Sequence, residues 1–332
     1  MAKQATRAVF GETLVELCQE GMDIVAVDAD LAGSTTLAKL GAYDPSRLID
    51  VGIAEQNMVG VAAGLSVTGR IPFTASFAVF GTGRCYDQIR NIVADANLNV
   101  KICPTHAGIT VGEDGATHQM LEDISLMRGL PTMRVLVPAD ASATRACLKL
   151  AAREWGPVYV RMGRFPVEDV YPADVEACFE GANILHDGTM AQDTNSSPNP
   201  NPSPNTNPNP NTSDITLFAC GVEVAEALVA ANKLAEEGIS ATVVDVYCIK
   251  PINKDVIVAA AKKSGKVMTI EEHSINGGLG SAVEEVLSEN CPMPCKRLGM
   301  ETFGTSAPGD VLLKHFGLDA DGIVRSVKEF LE

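Results

Sequence analysis

The sequence is poor in positive charge and has no long apolar run. Its 26 lysines and arginines are outnumbered by 42 aspartates and glutamates, for a net charge of −16. This balance disfavours nucleic acid or an anionic membrane surface as a partner. No stretch reaches the roughly 18 apolar residues that cross a bilayer, and the acid-containing N-terminus lacks the apolar core and cleavage site of a signal peptide. We therefore expect a cytoplasmic protein that binds neither nucleic acid nor membrane.

The sequence also lacks the clustered ligands of a metal site. Its nine cysteines are scattered through apolar segments, and their odd number without a secretory signal indicates reduced thiols. The only close pair, Cys291 and Cys295, has no second pair or histidine cluster to complete four zinc ligands. We expect no metal ligands in this chain.

Short apolar runs alternate with segments of helical periodicity along most of the chain. Residues 22–27 and 71–77, for example, are typical of buried strands. The alternation predicts an α/β fold in which mostly parallel sheets are flanked by helices. A chain of 332 residues is long enough for two such domains, and we place them at 1–172 and 173–332.

A segment rich in asparagine and proline interrupts the second domain. Residues 193–214 contain no apolar side chain other than proline, so they cannot bury enough surface to offset their ordering entropy. We expect an insertion at about 190–213 to be disordered or semi-extended. Because residues 184–185 and 215–219 on either side have strand character, we expect the insertion to be the lengthened tip of a hairpin.

The stretch at 50–64, DVGIAEQNMVGVAAG, predicts the end of a strand, a tight turn and a helix that begins near Ala54. Small residues, including Gly60 and Gly64, fall on one face of this helix and would let another backbone approach closely. Glu55 lies at the helix start, where the helix N-terminus stabilises a carboxylate. Burial would raise its pKa and let it hold or donate a proton near neutral pH. A glutamate that merely faces water is the alternative.

Several segments, in this order and at these separations, resemble one known family. They are DVGIAEQNMVGVAAGLSVTGRIPFTASFAVF, HAGITVGEDGATHQ, LVPADASATRA and VYVRMGRFP. Together they resemble the C-terminal half of transketolase and deoxyxylulose-phosphate synthase, and EEHSINGGLGSAVEEVL resembles the final domain of those proteins. The resemblance covers essentially the whole chain except the insertion. It implies a thiamine-diphosphate pyrimidine-domain fold followed by a transketolase C-terminal domain.

The resemblance assigns a cofactor, thiamine diphosphate, and residues that bind it. Glu55 matches the glutamate that hydrogen-bonds a ring nitrogen of the cofactor's aminopyrimidine. Phe77 and Phe80 match the positions that contact this ring, where flat aromatic faces stack; core packing is the alternative for either one. Glu55, His106 and His118 are the catalytic candidates that the resemblance implies.

The resemblance also implies substrate-binding residues. His106, Asp114 and His118 fall where transketolases place polar residues around the sugar: the first would donate to an oxygen, the second accept from a hydroxyl, and the third donate or relay a proton. Deoxyxylulose-phosphate synthases carry arginine in place of His106, which favours ketol transfer here. Arg164 matches an arginine that binds the terminal phosphate of the acceptor in a forked contact, and Arg161 is the neighbouring candidate.

The sequence departs from the family at the phosphate site. Residues 31–40 lack the second phosphate-binding arginine that transketolases carry there and offer only Lys39. We therefore expect the terminal anion to be held differently, or to be something other than the usual sugar phosphate.

The second departure concerns the other half of the cofactor site. In the family, the diphosphate and Mg²⁺ are bound by a separate N-terminal domain marked by Gly-Asp-Gly, and this chain contains no Gly-Asp-Gly. We expect this chain to supply the pyrimidine half of the site and a separate N-terminal subunit to supply the diphosphate and Mg²⁺ half, in an α2β2 assembly.

The leading hypothesis is thus the C-terminal subunit of a split, thiamine-dependent transketolase that moves a two-carbon ketol unit from a ketose phosphate to an aldose. The alternatives are a decarboxylating synthase like deoxyxylulose-phosphate synthase, or an oxo-acid dehydrogenase β subunit; His106 and the GEDGATHQ loop count against both. A non-catalytic scaffold is a further alternative, and the joint presence of the candidate site residues argues against it. A nucleotide-binding module is weaker still, because the glycine-rich turn at 271–280 has no phosphate-loop spacing.

Overall fold

The computed structural model describes residues 3–188 and 212–332. Most of the predicted insertion, residues 190–211, lies outside the described residues. The strands within the described ranges are β1 (Gln4–Ala5), β2 (Ile24–Asp28), β3 (Leu48–Asp50), β4 (Ile71–Ala75), β5 (Lys101–Ile102), β6 (Arg134–Leu136), β7 (Val158–Val160), β8 (Pro166–Val167), β9 (Asn183–His186), β10 (Ile215–Ala219), β11 (Ala241–Asp245), β12 (Cys248–Lys250), β13 (Val267–Ser274) and β14 (Cys295–Met300).

The helices in the same ranges follow the strands in alternation. They are α1 (Phe10–Gln19), α2 (Ala32–Thr35), α3 (Ala38–Tyr43), α4 (Glu55–Val67), α5 (Tyr86–Gln88), α6 (Asp123–Arg128), α7 (Ala141–Arg153), α8 (Glu223–Glu236), α9 (Lys254–Ser264), α10 (Leu279–Asn290), α11 (Gly309–Phe316) and α12 (Ala320–Leu331). None of them is long and apolar enough to cross a membrane.

The first sheet has seven strands in the order β12-β6-β7-β5-β4-β2-β3. All neighbours in it are parallel except β12, which runs antiparallel to β6. Parallel sheets are usually covered by helices on both faces, so their strands are buried throughout. Strand β2 fits this rule, because all five of its residues are buried. The predicted α/β class with mostly parallel sheets is confirmed.

The order of this sheet brings the candidate residues to one edge. The segments that follow β3, β4, β5 and β7 carry, in turn, Glu55, the two phenylalanines, the 106–118 loop and Arg164. Because these strands are parallel neighbours, or one strand apart, their carboxyl ends meet at the same side of the sheet, where open α/β sheets bind ligands.

The second sheet has five strands in the order β14-β13-β10-β11-β9, parallel except for β9. Strand β9 pairs antiparallel with β11 and not with β10. The expected hairpin of 184–185 with 215–219 is therefore wrong: the two strands that flank the insertion lie on opposite sides of β11.

The two sheets are tightly joined. Strand β12 comes from the second predicted domain, yet its residues complete the first sheet by pairing with β6. One apolar cluster also contains buried residues of both sheets, such as Val27 and Tyr159 from the first and Phe218 and Val244 from the second. The second half of the chain is thus positioned firmly against the first.

Candidate active site

Glu55 lies at the first position of α4 and is buried, with 3% of its surface exposed. The alternative of a glutamate facing water is therefore wrong. Both carboxylate oxygens accept a hydrogen bond from Nη1 of Arg84, at 2.9 Å each. A buried carboxylate without a partner is costly, and Arg84 supplies its counter-charge. Since a carboxylate can accept about four hydrogen bonds, Glu55 keeps acceptor capacity for a ligand.

The predicted aromatic residues gather beside this ion pair. Phe77 and Phe80 are nearly parallel, with planes 13° apart and centroids 6.2 Å apart. Both are half-buried, and neither belongs to an apolar core cluster of the described residues, which disfavours the core-packing alternative. The guanidinium of Arg84 lies over the Phe80 ring, 4.4 Å from its centroid. Phe80 and Arg84 share the π-helical turn Val79–Arg84, a local geometry frequent at functional sites.

Both candidate histidines contact these rings. His106 stacks on Phe77 with 3.8 Å between centroids, and His118 meets Phe80 edge-on at 5.4 Å. The structure therefore brings together four residues that lie up to 41 positions apart, from Phe77 to His118, as the resemblance implies.

His106 is buried, 3% exposed, and its Nδ1 lies 2.7 Å from Oγ1 of Thr105. Burial in the first place, and then the positive charges of Arg7 and Arg164, lower the pKa of His106 to about 3. The imidazole is consequently neutral at physiological pH. It can donate one hydrogen bond to a substrate oxygen or accept one from a substrate hydroxyl, but it contributes no charge.

Arg7 is a residue that the sequence patterns did not single out. It lies in the 3₁₀ turn Thr6–Val9. Two effects lower the pKa of its guanidinium: partial burial, which is the larger, and the positive charge of nearby Arg164. Its Nη1 donates to the carbonyl oxygen of Ser34, which fixes its side chain. Lys39, the only cation among residues 31–40, forms a salt bridge with Glu12. An arginine at the start of the first helical segment carried no signal of its own.

Arg164 and Asp114, both predicted to contact substrate, contact each other. Nη1 of Arg164 lies 3.1 Å from Oδ2 of Asp114, and both side chains are partly exposed. An exposed ion pair is worth at most about 1 kcal/mol, so a substrate can displace it. With Arg7, Arg164 gives this end of the site two cations, which suit an anionic group.

Arg161 does not reach the site. Its side chain is 5% exposed, and its guanidinium pairs with Asp123 at 2.7 Å and with Glu272 at 3.3 Å. The substrate-binding prediction for Arg161 therefore has no support in the geometry, and Arg164 is the candidate that remains.

Comparison with known proteins places the chain in a family. Two family models match: "Transketolase, pyrimidine binding domain" at residues 2–167 and "Transketolase, C-terminal domain" at residues 206–323. A "Putative transketolase C-terminal section" of Methanocaldococcus jannaschii is 44% identical over 97% of this chain and 95% of its own length. The "6-deoxy-6-sulfo-D-fructose transketolase subunit SqwH" of Clostridium sp. (strain MSTE9) is 39% identical over 98% of this chain and 94% of its own.

A solved structure agrees with these relatives. A protein described as "Split gene transketolase, inactive beta4 tetramer" superposes with a TM-score of 0.85 at 43% identity, over 99% of this chain and 98% of that one. Fold and site thus define a chain with the pyrimidine-binding and C-terminal domains of a thiamine-diphosphate enzyme. The chain belongs to the transketolase family, as its motifs predicted.

The observed residues fit one half of the family's cofactor site. A buried acid with free acceptor capacity stands beside two parallel aromatic rings, which suits a flat heterocycle with a ring nitrogen. Among residues 3–188 and 212–332, no group of three or more histidine, cysteine, aspartate or glutamate side chains is placed to hold a metal ion.

Proposed function

We propose that this chain is the catalytic C-terminal subunit of a two-subunit transketolase. It would move a two-carbon ketol unit from a ketose phosphate to an aldose. The observation that carries the proposal is the single cluster in which buried Glu55 lies beside Phe80, with Phe77, His106 and His118 packed around it.

Thiamine diphosphate, when bound, supplies the carbon nucleophile that ketol transfer needs. Glu55 would bind the aminopyrimidine ring nitrogen through a shared proton, and burial protects that hydrogen bond from water. Phe77 and Phe80 would offer the ring their faces. Arg84 would keep the second carboxylate oxygen of Glu55 paired while the first serves the cofactor.

The substrate residues divide into a neutral and a cationic group. Neutral His106 would donate to a substrate oxygen, and His118 would donate or relay a proton beside it. Asp114 would accept from a hydroxyl once its contact with Arg164 opens. Arg7 and Arg164 would then bind the terminal anion of the substrate.

A separate N-terminal subunit would supply the diphosphate and Mg²⁺ half of the site, in a complex with two copies of each chain. The names of the relatives support this arrangement, because they describe a C-terminal section and a transketolase subunit. The similar solved structure is described as an inactive beta4 tetramer of a split-gene transketolase, which also supports the need for a second kind of chain. We also propose the division into domains at 1–172 and 173–332, which the ranges 2–167 and 206–323 of the family models support.

Co-expression of this chain with a candidate N-terminal subunit, such as the product of a neighbouring gene, tests the proposal. Ketol transfer from xylulose 5-phosphate to a panel of phosphorylated and non-phosphorylated aldehydes should require both chains, thiamine diphosphate and Mg²⁺. Glu55→Gln should lower kcat by roughly 100-fold or more, as expected for a lost proton-transfer group. The same substitution at Glu236, exposed on α8, is the matched control and should change nothing.

Three results would contradict parts of the proposal. Turnover by the purified single chain would rule out the split assembly. Full activity of Glu55→Gln in the complex would remove Glu55 from the chemistry. A stable complex that binds the cofactor but transfers no ketol unit to any acceptor would refute the function itself.

A further inference from the structure

The buried carboxylate of Glu272 reaches from the second sheet to the loop that carries the predicted substrate residues. Glu272 belongs to β13, and its Oε2 accepts hydrogen bonds from the backbone N of Thr110 at 3.0 Å and from its Oγ1 at 2.7 Å. A Cβ placed on Gly108 would lie only 2.1 Å from the carboxyl carbon of Glu272. The carboxylate thus rests directly on bare backbone, two residues after His106.

The other oxygen of this carboxylate also has a partner, Arg161. Arg161 donates from Nη1 to Oε1 of Glu272 at 3.3 Å and from Nη2 to the backbone carbonyl oxygen of Glu272 at 3.2 Å. Its Nε donates to Oδ2 of Asp123 at 2.7 Å. All three side chains are at most 5% exposed, so water does not compete for these contacts. Glu272 therefore has one direction in which it can present Oε2.

The loop at 106–118 needs such an external support. His106 has a φ of 61°, a region that non-glycine residues rarely adopt, and Gly108, Gly112 and Gly115 have φ values of 82°, 89° and 75°. The only regular structure in the loop is the 3₁₀ turn Ile109–Val111. Such a backbone keeps its conformation only when its surroundings impose it. Glu272 contributes to this through its two hydrogen bonds with Thr110.

We propose that Glu272 is a positioning residue for the substrate site: through Thr110 it holds the 106–118 loop in its substrate-binding geometry. The second half of the chain would thereby contribute to catalysis without touching the substrate. What the loop binds rests on the proposed function, whereas its positioning can be measured on the chain by itself.

The competing explanation is a purely structural tie between the two halves. Two variants at Thr110 separate them. Thr110→Val removes the hydroxyl donor while leaving the Glu272–Arg161 pair in place, and Thr110→Ser keeps the donor. The control is Glu285→Gln, which weakens another contact between the halves, the 2.6 Å pair of Glu285 with Arg128, without touching this loop.

The first measurement is amide hydrogen exchange across 106–118 in the isolated chain. We expect Thr110→Val to accelerate exchange there roughly tenfold, the weight of one hydrogen bond to a charged group, and we expect Thr110→Ser and Glu285→Gln to exchange like the wild type. The second measurement is kinetic, on the assembled complex well below its unfolding temperature. We expect kcat/KM of Thr110→Val to fall roughly tenfold and Thr110→Ser to recover it.

Unchanged exchange in Thr110→Val would overturn the proposal whatever the activity. Faster exchange with wild-type kcat/KM would also overturn it, since the loop geometry would then not matter for substrate. If the wild-type complex transfers no ketol unit, the proposed function fails, and the exchange data alone decide whether Glu272 sets the loop.

Discussion

Replacing His106 by glutamine tests the electrostatics of the site directly. In the folded chain, burial first and then Arg7 and Arg164 hold the pKa of His106 at about 3, against about 6.5 for an exposed imidazole. Between these values, the unfolded chain binds a proton that the folded chain excludes. Stability must therefore fall as the pH falls below about 6.5. Glutamine stays neutral and has no such dependence.

The magnitude follows from the width of this window. Each pH unit inside it costs the wild type about 1.4 kcal/mol of free energy of unfolding. At pH 4.5, two units below the unfolded pKa, the wild type has lost about 3 kcal/mol that His106→Gln retains. Over the whole window, from about 6.5 to about 3, the difference approaches about 5 kcal/mol. Solvent screens little of this electrostatic effect, because the side chain of His106 is 3% exposed.

Two measurements on the chain check this reasoning. The imidazole carbon resonances of the five histidines, assigned by the signal missing from His106→Gln, should show that His106 does not titrate between pH 8 and 5. Denaturant unfolding from pH 7.5 to 4.5 should show the stability of wild type and variant diverging in favour of the variant. His315→Gln, at an exposed position near the end of α11, measures the general effect of removing an imidazole. A stability difference that is constant with pH, or a His106 that titrates near 6.5, would refute the argument.

Two further predictions concern charge. Burial raises the pKa of Glu223 well above its usual range, and its carboxylate oxygens have no hydrogen-bond partner within the described residues. The folded chain therefore keeps a proton on Glu223 that the unfolded chain loses above about pH 4.3. We expect Glu223→Gln to stabilise the chain by up to about 1.4 kcal/mol for each pH unit above that value, with Glu236→Gln as the exposed control on the same helix and a pH-independent difference as the contradicting result. We also expect Arg7→Gln and Arg164→Gln each to raise KM for phosphorylated acceptors roughly tenfold and to leave KM for non-phosphorylated acceptors unchanged. Lys39→Gln is the control. Equal effects on both classes of acceptor would rule out an anion site here.

The sequence by itself determined the fold class and much of the site. Buried parallel strands appear as short apolar runs and helices as periodic ones, because each element must bury one face or both. The resemblance of several segments to the transketolase family implied that Glu55, Phe77 and His106 belong to one site. The fold agrees with this, because segments that follow parallel strands meet at one edge of a sheet.

Only the tertiary structure decided which distant elements meet. Strand β9 could have paired with β10 or β11, and β12 could have stayed with the second sheet; both choices depend on backbone hydrogen bonds between segments whose sequences carry the same apolar pattern. The expected hairpin was wrong for this reason.

The charge pairs of the site depended on tertiary structure most of all. Arg84 is 29 residues from Glu55, and Arg161 is 111 residues from Glu272. Arg7 acts on His106 although it lies near the start of the chain. The energy of such a pair is set by distance and burial, and neither quantity is present in the order of the residues. The sequence therefore named the acid, the rings and Arg164 of this site, and only the fold showed that Arg84 pairs with Glu55 and that Arg7 lies near His106.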